Sequence, residues 1–313
     1  MAIKVAFIGA GYMAAEHAKA FRDIPKVELS GVYSRTRSRA DGFAQMHSVE
    51  LVCDSVDQLY DMTQAHLVVI AVPELSVREV CIAAFKHPWK CLIEKPAGYN
   101  VPDAERILDA SLKYGRQAYV ALNRRHYSST RAVLSDLIDH PGQRLVHILD
   151  QESPLAALQS GQPVTVVENW MYANSLHLVD YFSMLCRGEL LAVDNYTEWR
   201  PSEPCFVVSK LTYSSRDIGI YEAVWEGPGP WAVTVTTHTR RWELRPLEQA
   251  HFQDYGSRKS EPIPTHAWDQ SFKPGLRLQA EEAVRALRGE PHELPSLQQG
   301  LESMKIVNKI YGC

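Results

Sequence analysis

No stretch of about 18 uninterrupted apolar residues occurs in the 313-residue chain, so nothing in it is suited to cross a bilayer core. The opening residues lack the order of charged, apolar and small residues that marks a secretory leader, and run straight into a strand at Ile3–Ile8. A basic surplus is missing too. Lys and Arg number 33 against 37 Asp and Glu, a formal net charge of -4, whereas a surface built for nucleic acid leaves an excess of cations. The six cysteines (Cys53, Cys81, Cys91, Cys186, Cys205 and Cys313) include no C-x-x-C pair and mostly sit among apolar neighbours. That argues against a zinc or disulfide framework and for buried thiols in a reducing cytoplasm. No internal repeat, low-complexity tract or disordered linker is evident. What remains is ordinary globular material, 45% hydrophobic and 22% charged, long enough for two cores. The expectation is a cytoplasmic protein with no metal, no nucleic-acid partner and no membrane association.

Up to Leu122 the chain alternates short apolar runs with helical stretches. Ile3–Ile8, Val27–Tyr33, His66–Val72, Lys90–Ile93 and Tyr119–Leu122 read as strands; Met13–Phe21, Arg37–Met46, Ser76–Phe85 and Pro102–Tyr114 read as helices. Continuous apolar strands are buried on both faces, as a parallel sheet between helices requires, and the alternation predicts a doubly wound α/β fold. From Asn123 the texture changes. A helix around Thr130–Ile138, a strand at Arg144–Asp150 and a helix at Trp170–Leu185 precede longer alternating strands at Cys205–Tyr213, Ile218–Trp225, Trp231–His238 and Arg241–Leu247. Short turn-rich connections between them predict a mostly antiparallel open sheet in a second, α+β domain. Gly275–Leu287 and Ser296–Tyr311 read as closing helices. The expected division is residues 1–122 for a dinucleotide-binding Rossmann domain and 123–313 for substrate binding and oligomerisation.

The dinucleotide reading rests on Gly9-Ala10-Gly11-Tyr12-Met13-Ala14, a G-x-G-x-x-A run directly after a strand and opening a helix. The first glycine allows the tight turn, the second lets the main chain approach a pyrophosphate, and the small third residue permits close helix–strand packing. The helix start then presents unpaired N–H groups and the positive end of its dipole to the phosphates. The second strand ends Val32-Tyr33-Ser34-Arg35-Thr36, without the acid that usually accepts from the ribose hydroxyls. Ser34 can hydrogen-bond a 2′-phosphate, and Arg35 can pair with it and stack on adenine, so NADP is favoured over NAD. Arg37 and Arg39 read as the solvated start of the next helix.

Glu94-Lys95-Pro96 follows the strand at Lys90–Ile93, Val72-Pro73 follows the strand before it, and Asn123-Arg124-Arg125 stands where the first domain ends. With His177-Leu178-Val179-Asp180 and the closing helices, these motifs make the whole chain resemble the glucose–fructose oxidoreductase / inositol dehydrogenase / MocA family. The resemblance implies an NAD(P)-dependent oxidoreductase acting on CH–OH groups of a sugar, polyol or sugar nucleotide, assembled as a homodimer or homotetramer. It implies that Gly9, Gly11, Tyr12, Met13, Ser34, Arg35, Pro73, Glu94, Lys95 and Asn123 face the coenzyme. Lys95 and His177 would be the catalytic pair, and Arg125, Tyr172, Asn174 and Asp180 would face the substrate.

The chemistry of those residue types agrees. Oxidising an alcohol requires a proton to leave oxygen as hydride leaves carbon, which needs a positioned base. A lysine at the carboxyl end of a parallel strand lies on the crevice side and can stabilise alkoxide charge; histidine titrates near neutrality and can shuttle the proton. Asn174, His177 and Asp180, at i, i+3 and i+6, are read as one helical face with Ala173 and Tyr181. His177 could instead be a core histidine satisfied by Asp180, and Asp180 could orient it or simply pack. Arg125 and Asn123 could line the site or form a salt-bridge set. The chain departs from the family in two places: Arg78 stands where histidine is frequent, and Ala173 where many members carry Asp four residues before the histidine. The missing acid leaves reliance on Lys95 and His177, or substitution by Tyr172 or Tyr181. It also motivates two alternatives, a non-catalytic NAD(P)-sensing regulator and a reductase of a non-sugar carbonyl or imine. The aromatics of Glu168-Asn169-Trp170-Met171-Tyr172 either shape the substrate pocket or pack the core.

Overall fold

The computed structural model describes residues 2–201, 203 and 205–313, which form two compact units. Unit one contains the chain to Asn123 together with Trp268–Leu301. Its strands are β1 (Ile3–Ile8), β2 (Val27–Tyr33), β3 (Leu51–Cys53), β4 (Leu67–Ile70), β5 (Lys90–Glu94) and β6 (Ala118–Ala121). All pair in parallel in the order β3-β2-β1-β4-β5-β6, the dinucleotide-fold order in which the crevice opens where the chain reverses direction, between β1 and β4. Val5 to Ile8 and Leu67 to Ile70 are buried throughout, because helices cover both faces of the sheet.

Trp268–Leu301 was expected in the second domain and instead clusters with the first. Leu276, Ala280, Ala283 and Val284, on the helix Leu276–Arg288, share one core with Val5, Phe7, Ala14 and Phe21. Arg277 Nε donates to Asp23 Oδ2 at 2.6 Å, Lys90 Nζ to the Ala286 carbonyl at 2.6 Å, and the Val120 amide to the Pro295 carbonyl at 2.9 Å. The apolar stripe showed that this helix is buried on one side; it carried no information about which sheet it covers.

The second unit, residues 124–267 and 302–313, is built on an eight-stranded sheet. Its strands are β7 (Leu145–Glu152), β8 (Leu190–Asn195), β9 (Cys205–Tyr213), β10 (Ile218–Trp225), β11 (Ala232–Thr236), β12 (Arg240–Leu244), β13 (Ala250–Asp254) and β14 (Glu261–Ile263). The order is β14-β13-β12-β11-β7-β10-β9-β8, antiparallel except for the parallel pair β7–β10. Buried and less buried residues alternate along β7, β9 and β10, so one face is covered and the other open. The helix Leu176–Leu185 lies on the covered face, where Gly219 leaves room for the Phe182 ring; a Cβ there would meet it. The strands β3, β8, β13 and β14 had no expected counterpart, and β7 runs two residues past the expected end, which brings Glu152 into the sheet. Among the described residues no helix is long and apolar enough to cross a membrane.

Leu276→Ala should lower the urea-unfolding free energy of the first unit by about 2–5 kcal/mol, the range for a truncated core leucine. A loss under about 1 kcal/mol would mean that this helix is not part of that core.

Candidate coenzyme and substrate sites

In the first unit, β1 ends at Ile8 and the chain turns at Gly9, whose φ is +107°. The Gly9 amide donates to the Tyr33 carbonyl at 2.8 Å, and the Ala71 amide donates to the Ile8 carbonyl at 2.9 Å, so the turn is pinned between β2 and β4. A Cβ at Gly9 would strike the Ala71 carbonyl oxygen. Gly11 differs: its backbone is extended, and nothing lies within 4 Å of where its Cβ would be. It caps the helix Tyr12–Arg22, which has no side-chain cap and no acid in its first turn, leaving the leading N–H groups available to an anion. Ala14 is fully buried, the close helix–strand contact expected of the third motif position.

A cleft of about 340 Å3 opens over this turn. Gly9, Gly11, Ser34, Arg35 and Pro73, five of the expected coenzyme contacts, line it together. Arg39 lines it as well, although it read as a solvated helix residue. Arg37 is tied to Asp41 and Asp54, whereas Arg35 and Arg39 make no ion pair among the described residues. The helix Val77–Ala84 brings Glu79 to the same cleft.

The other expected coenzyme residues lie outside the lining of that cleft. Tyr12 is largely exposed, with the Lys273 ammonium 5.5 Å from its ring centroid, and Met13 packs against the core. Glu94 is buried at the end of β5, with its Oε1 2.6 Å from Nε2 of the buried His17. Lys95 follows directly, partly buried and joined to Pro96 by a cis peptide. The Asn123 amide donates to the Pro274 carbonyl at 3.0 Å.

In the second unit, a turn of π-helix, Met171–Ser175, leads into the helix Leu176–Leu185. Asn174 lines a groove of about 470 Å3 with Gln151, Glu152, Trp170, Gly229 and Trp231. Its amide donates to Glu152 Oε2 at 2.9 Å. His177 is buried, its ring centroid 6.3 Å from that of Trp231, and the Arg124 guanidinium lies 5.0 Å over the same Trp231 ring.

Asp180 faces elsewhere. It forms a two-pronged pair with Arg125, at 2.6 and 2.8 Å, and accepts from Ser303 at 2.7 Å. The Tyr172 hydroxyl accepts from Asn308 at 3.1 Å, and that of Tyr181 meets Thr130 at 3.0 Å. Burial pushes the pKa of both phenols up. Neither tyrosine lines the groove.

Glu152 and Trp231 were not singled out from the sequence. Glu152 lay beyond the expected end of its strand, and an indole in a run of Gly and Pro carries no motif.

The parallel sheet and its glycine turn define the first unit as a dinucleotide-binding fold. Residues 3–122 match the model of the GFO_IDH_MocA family, described as an oxidoreductase family with an NAD-binding Rossmann fold. Glucose-6-phosphate 3-dehydrogenase of Bacillus subtilis is 27% identical over 137 residues, which are 44% of this chain and 38% of that protein. scyllo-Inositol 2-dehydrogenase (NADP(+)) of the same organism is 26% identical over 113 residues, 36% of this chain and 34% of that protein. The matched stretch therefore spans little more than a third of either relative. Likeness of fold runs further. Levoglucosan dehydrogenase, solved with NADH and levoglucosan, superposes with a TM-score of 0.81 at 16% identity, covering 100% of this chain and 97% of that one.

The two glycines separate by experiment. Gly11→Ala should leave stability within about 0.5 kcal/mol yet weaken dinucleotide binding by at least about tenfold, roughly 1.4 kcal/mol. Gly9→Ala should weaken binding and also cost about 1–3 kcal/mol of stability, from its unfavourable φ. Chemical denaturation and coenzyme-fluorescence titration measure the two effects; equal behaviour of both variants would remove the distinction.

Proposed function

We propose that the protein is an NAD(P)-dependent oxidoreductase acting on a hydroxyl or carbonyl group of a sugar, polyol or sugar nucleotide. The observation that carries this reading is the cleft in which the glycine turn, the open helix start, Ser34, Arg35 and Arg39 converge. The residues present fit a dinucleotide: main-chain N–H groups for the pyrophosphate, and Ser34, Arg35 and Arg39 for the adenosine end. When bound, the nicotinamide ring supplies the hydride acceptor or donor. The chain supplies the proton chemistry: the Lys95 ammonium donates to the substrate oxygen and steadies alkoxide charge, and His177 relays the proton. The names of the relatives, dehydrogenases of a sugar phosphate and of inositol, support the substrate class.

NADP is the preferred coenzyme in this reading. Two guanidiniums that have no carboxylate partner among the described residues, beside a serine hydroxyl, suit a 2′-phosphate better than a pair of ribose hydroxyls. A second reading, a coenzyme sensor without turnover, is favoured by Ala173 alone. The open face of the second sheet, which leaves Leu191 and Phe206 exposed, is the proposed homodimer or homotetramer contact; a monomer by light scattering at working concentration removes it.

Titration with NADPH and NADH followed by fluorescence tests the reading first, and failure to bind either sinks it. Arg35→Ala and Arg39→Ala should each weaken NADPH by at least about tenfold, roughly 1.4 kcal/mol, while NADH changes less than threefold. Equal losses for both coenzymes overturn the 2′-phosphate assignment. On a sugar or polyol that turns over, Lys95→Ala should reduce kcat by at least about a hundredfold, as expected for loss of an acid/base group, with coenzyme affinity nearly unchanged. Undiminished turnover takes Lys95 out of the mechanism.

A further inference from the structure

Asp150 and Glu152 stand two apart on β7, both on its covered face and both about 1% exposed. Buried carboxylates normally sit against a cation, and among the described residues neither of these is paired with one. Glu152 accepts from the Asn174 amide at 2.9 Å and the Ser175 hydroxyl at 3.3 Å, with the Trp170 indole and the Asp150 carboxyl also acting on it; Tyr221, Ser175, the Gln151 backbone and the Glu152 carboxyl act on Asp150. Arg124, stacked on Trp231, pairs with neither of them.

The hydrogen bonds fix the direction of polarity. Trp225 Nε1 donates to the Tyr311 hydroxyl at 3.2 Å, Tyr311 lies 2.7 Å from the Tyr221 hydroxyl, and Tyr221 donates to Asp150 Oδ2 at 2.6 Å. Burial raises the pKa of Asp150, and this relay, which ends on its carboxyl, offsets part of that rise. Asp150 Oδ1 is enclosed and has no N–H or other O–H donor among the described residues, while the Glu152 carboxyl is within hydrogen-bonding reach of Asp150. A proton on Glu152 satisfies it. Glu152 also lines the groove beside Trp170, Asn174 and Trp231, and Asp150 does not.

We propose that Asp150 and Glu152 share one proton at neutral pH, and that Glu152 offers it at the wall of the groove as the acid/base group for a hydroxylated ligand. Glu152 thereby does what the acid missing at position 173 would do. The proposal rests on the oxidoreductase reading for the identity of the ligand, but not for the state of the dyad. During alcohol oxidation the ligand O–H bond breaks and its proton passes to the dyad as the carbon loses hydride to the oxidised nicotinamide; reduction runs the same transfers backwards. Burial first, and the neighbouring Asp150 charge second, raise the pKa of Glu152 well above the ordinary carboxyl value, as two carboxyls sharing a dry site require.

The folded state then binds a proton that an unfolded glutamic acid gives up near pH 4.3. Wild-type stability should fall as pH rises from about 4.3 towards the raised folded-state value, and Glu152→Gln, a neutral near-isostere, should lack that part of the fall. The variant should therefore gain at least about 2 °C in Tm on the wild type between pH 5 and pH 8, or about 0.5–1 kcal/mol for a chain of this size. Infrared spectra of the wild type at pH 7 should show a protonated-carboxyl C=O band that is lost in Glu152→Gln and kept in Glu168→Gln, which removes an exposed carboxylate. A Tm gap that does not change with pH, or no such band, overturns the shared proton.

The acid/base role is read with levoglucosan, scyllo-inositol and glucose 6-phosphate on coenzyme-loaded protein. Glu152→Gln should lower kcat at least about a hundredfold, with KM and coenzyme affinity within a few-fold, and should flatten the pH profile of kcat. Equal turnover by variant and wild type, or none by either, overturns that role. Failure to bind coenzyme sinks the oxidoreductase reading and leaves the infrared and thermal results to decide the dyad by themselves.

Discussion

The first unit depends on a close approach of main chain to main chain. Where β1 gives way to its helix, Gly9 sits between the Tyr33 carbonyl it donates to and the Ala71 carbonyl that leaves no room for a Cβ. That contact holds the ends of β1, β2 and β4 level, and the helix that follows has to start at their crevice. The same pinning carries Ser34 and Arg35, which follow β2, and Pro73, which follows β4, to the rim of one cleft. A phosphate-binding surface thus arises from strand register and one positive φ, before any side chain contributes. His17, on the same helix, extends the constraint to β5 by meeting Glu94, the residue before Lys95.

The second unit faces a different constraint, the burial of charge between a sheet and its covering helix. It is met in two ways. Arg125 and Asp180 form a buried two-pronged pair, completed by the Ser303 hydroxyl. Removing one member of such a pair costs about 3–5 kcal/mol, because the other is left uncompensated. Asp150 and Glu152 have no cation partner among the described residues and are held by hydroxyl, amide and indole donors. A pair closed by opposite charges is chemically quiet. A pair closed by a proton can give that proton up, and it is this second kind that borders a groove.

The first sheet was legible because parallel strands buried on both faces are continuous apolar runs and because the phosphate turn is local in sequence. What escaped was non-local or too short. Leu51–Cys53 has three residues, and the helix Leu276–Arg288 announces a buried stripe without naming its partner. The i, i+3, i+6 reading of Asn174, His177 and Asp180 as one face failed for a geometric reason. Three residues of α-helix turn the chain about 60° short of a full circle, so six bring a drift of about 120°. Asn174 accordingly reaches Glu152 and the groove, while Asp180 turns to Arg125 and Ser303. Arg39 was discounted because a lone basic residue in a first helical turn is usually solvated; its place in the cleft follows from the position of its helix beyond β2.

The alanine at 173 takes on a different meaning in this setting. An acid four residues before a histidine shares its face only while the helix keeps 3.6 residues per turn. Here that interval is interrupted: Met171–Ser175 is a π-turn, with a wider repeat than the helix it precedes. Ala173 is buried in the packed side of this turn, and its successor, Asn174, is the residue presented to the groove. On the strand opposite, β7 places Glu152 at the groove with Asp150 two residues before it on the same covered face, where the proposed proton is shared. With Ala173 on the turn and the dyad on β7, the proposal places the titratable group of this groove on the sheet and not on the helix that covers it.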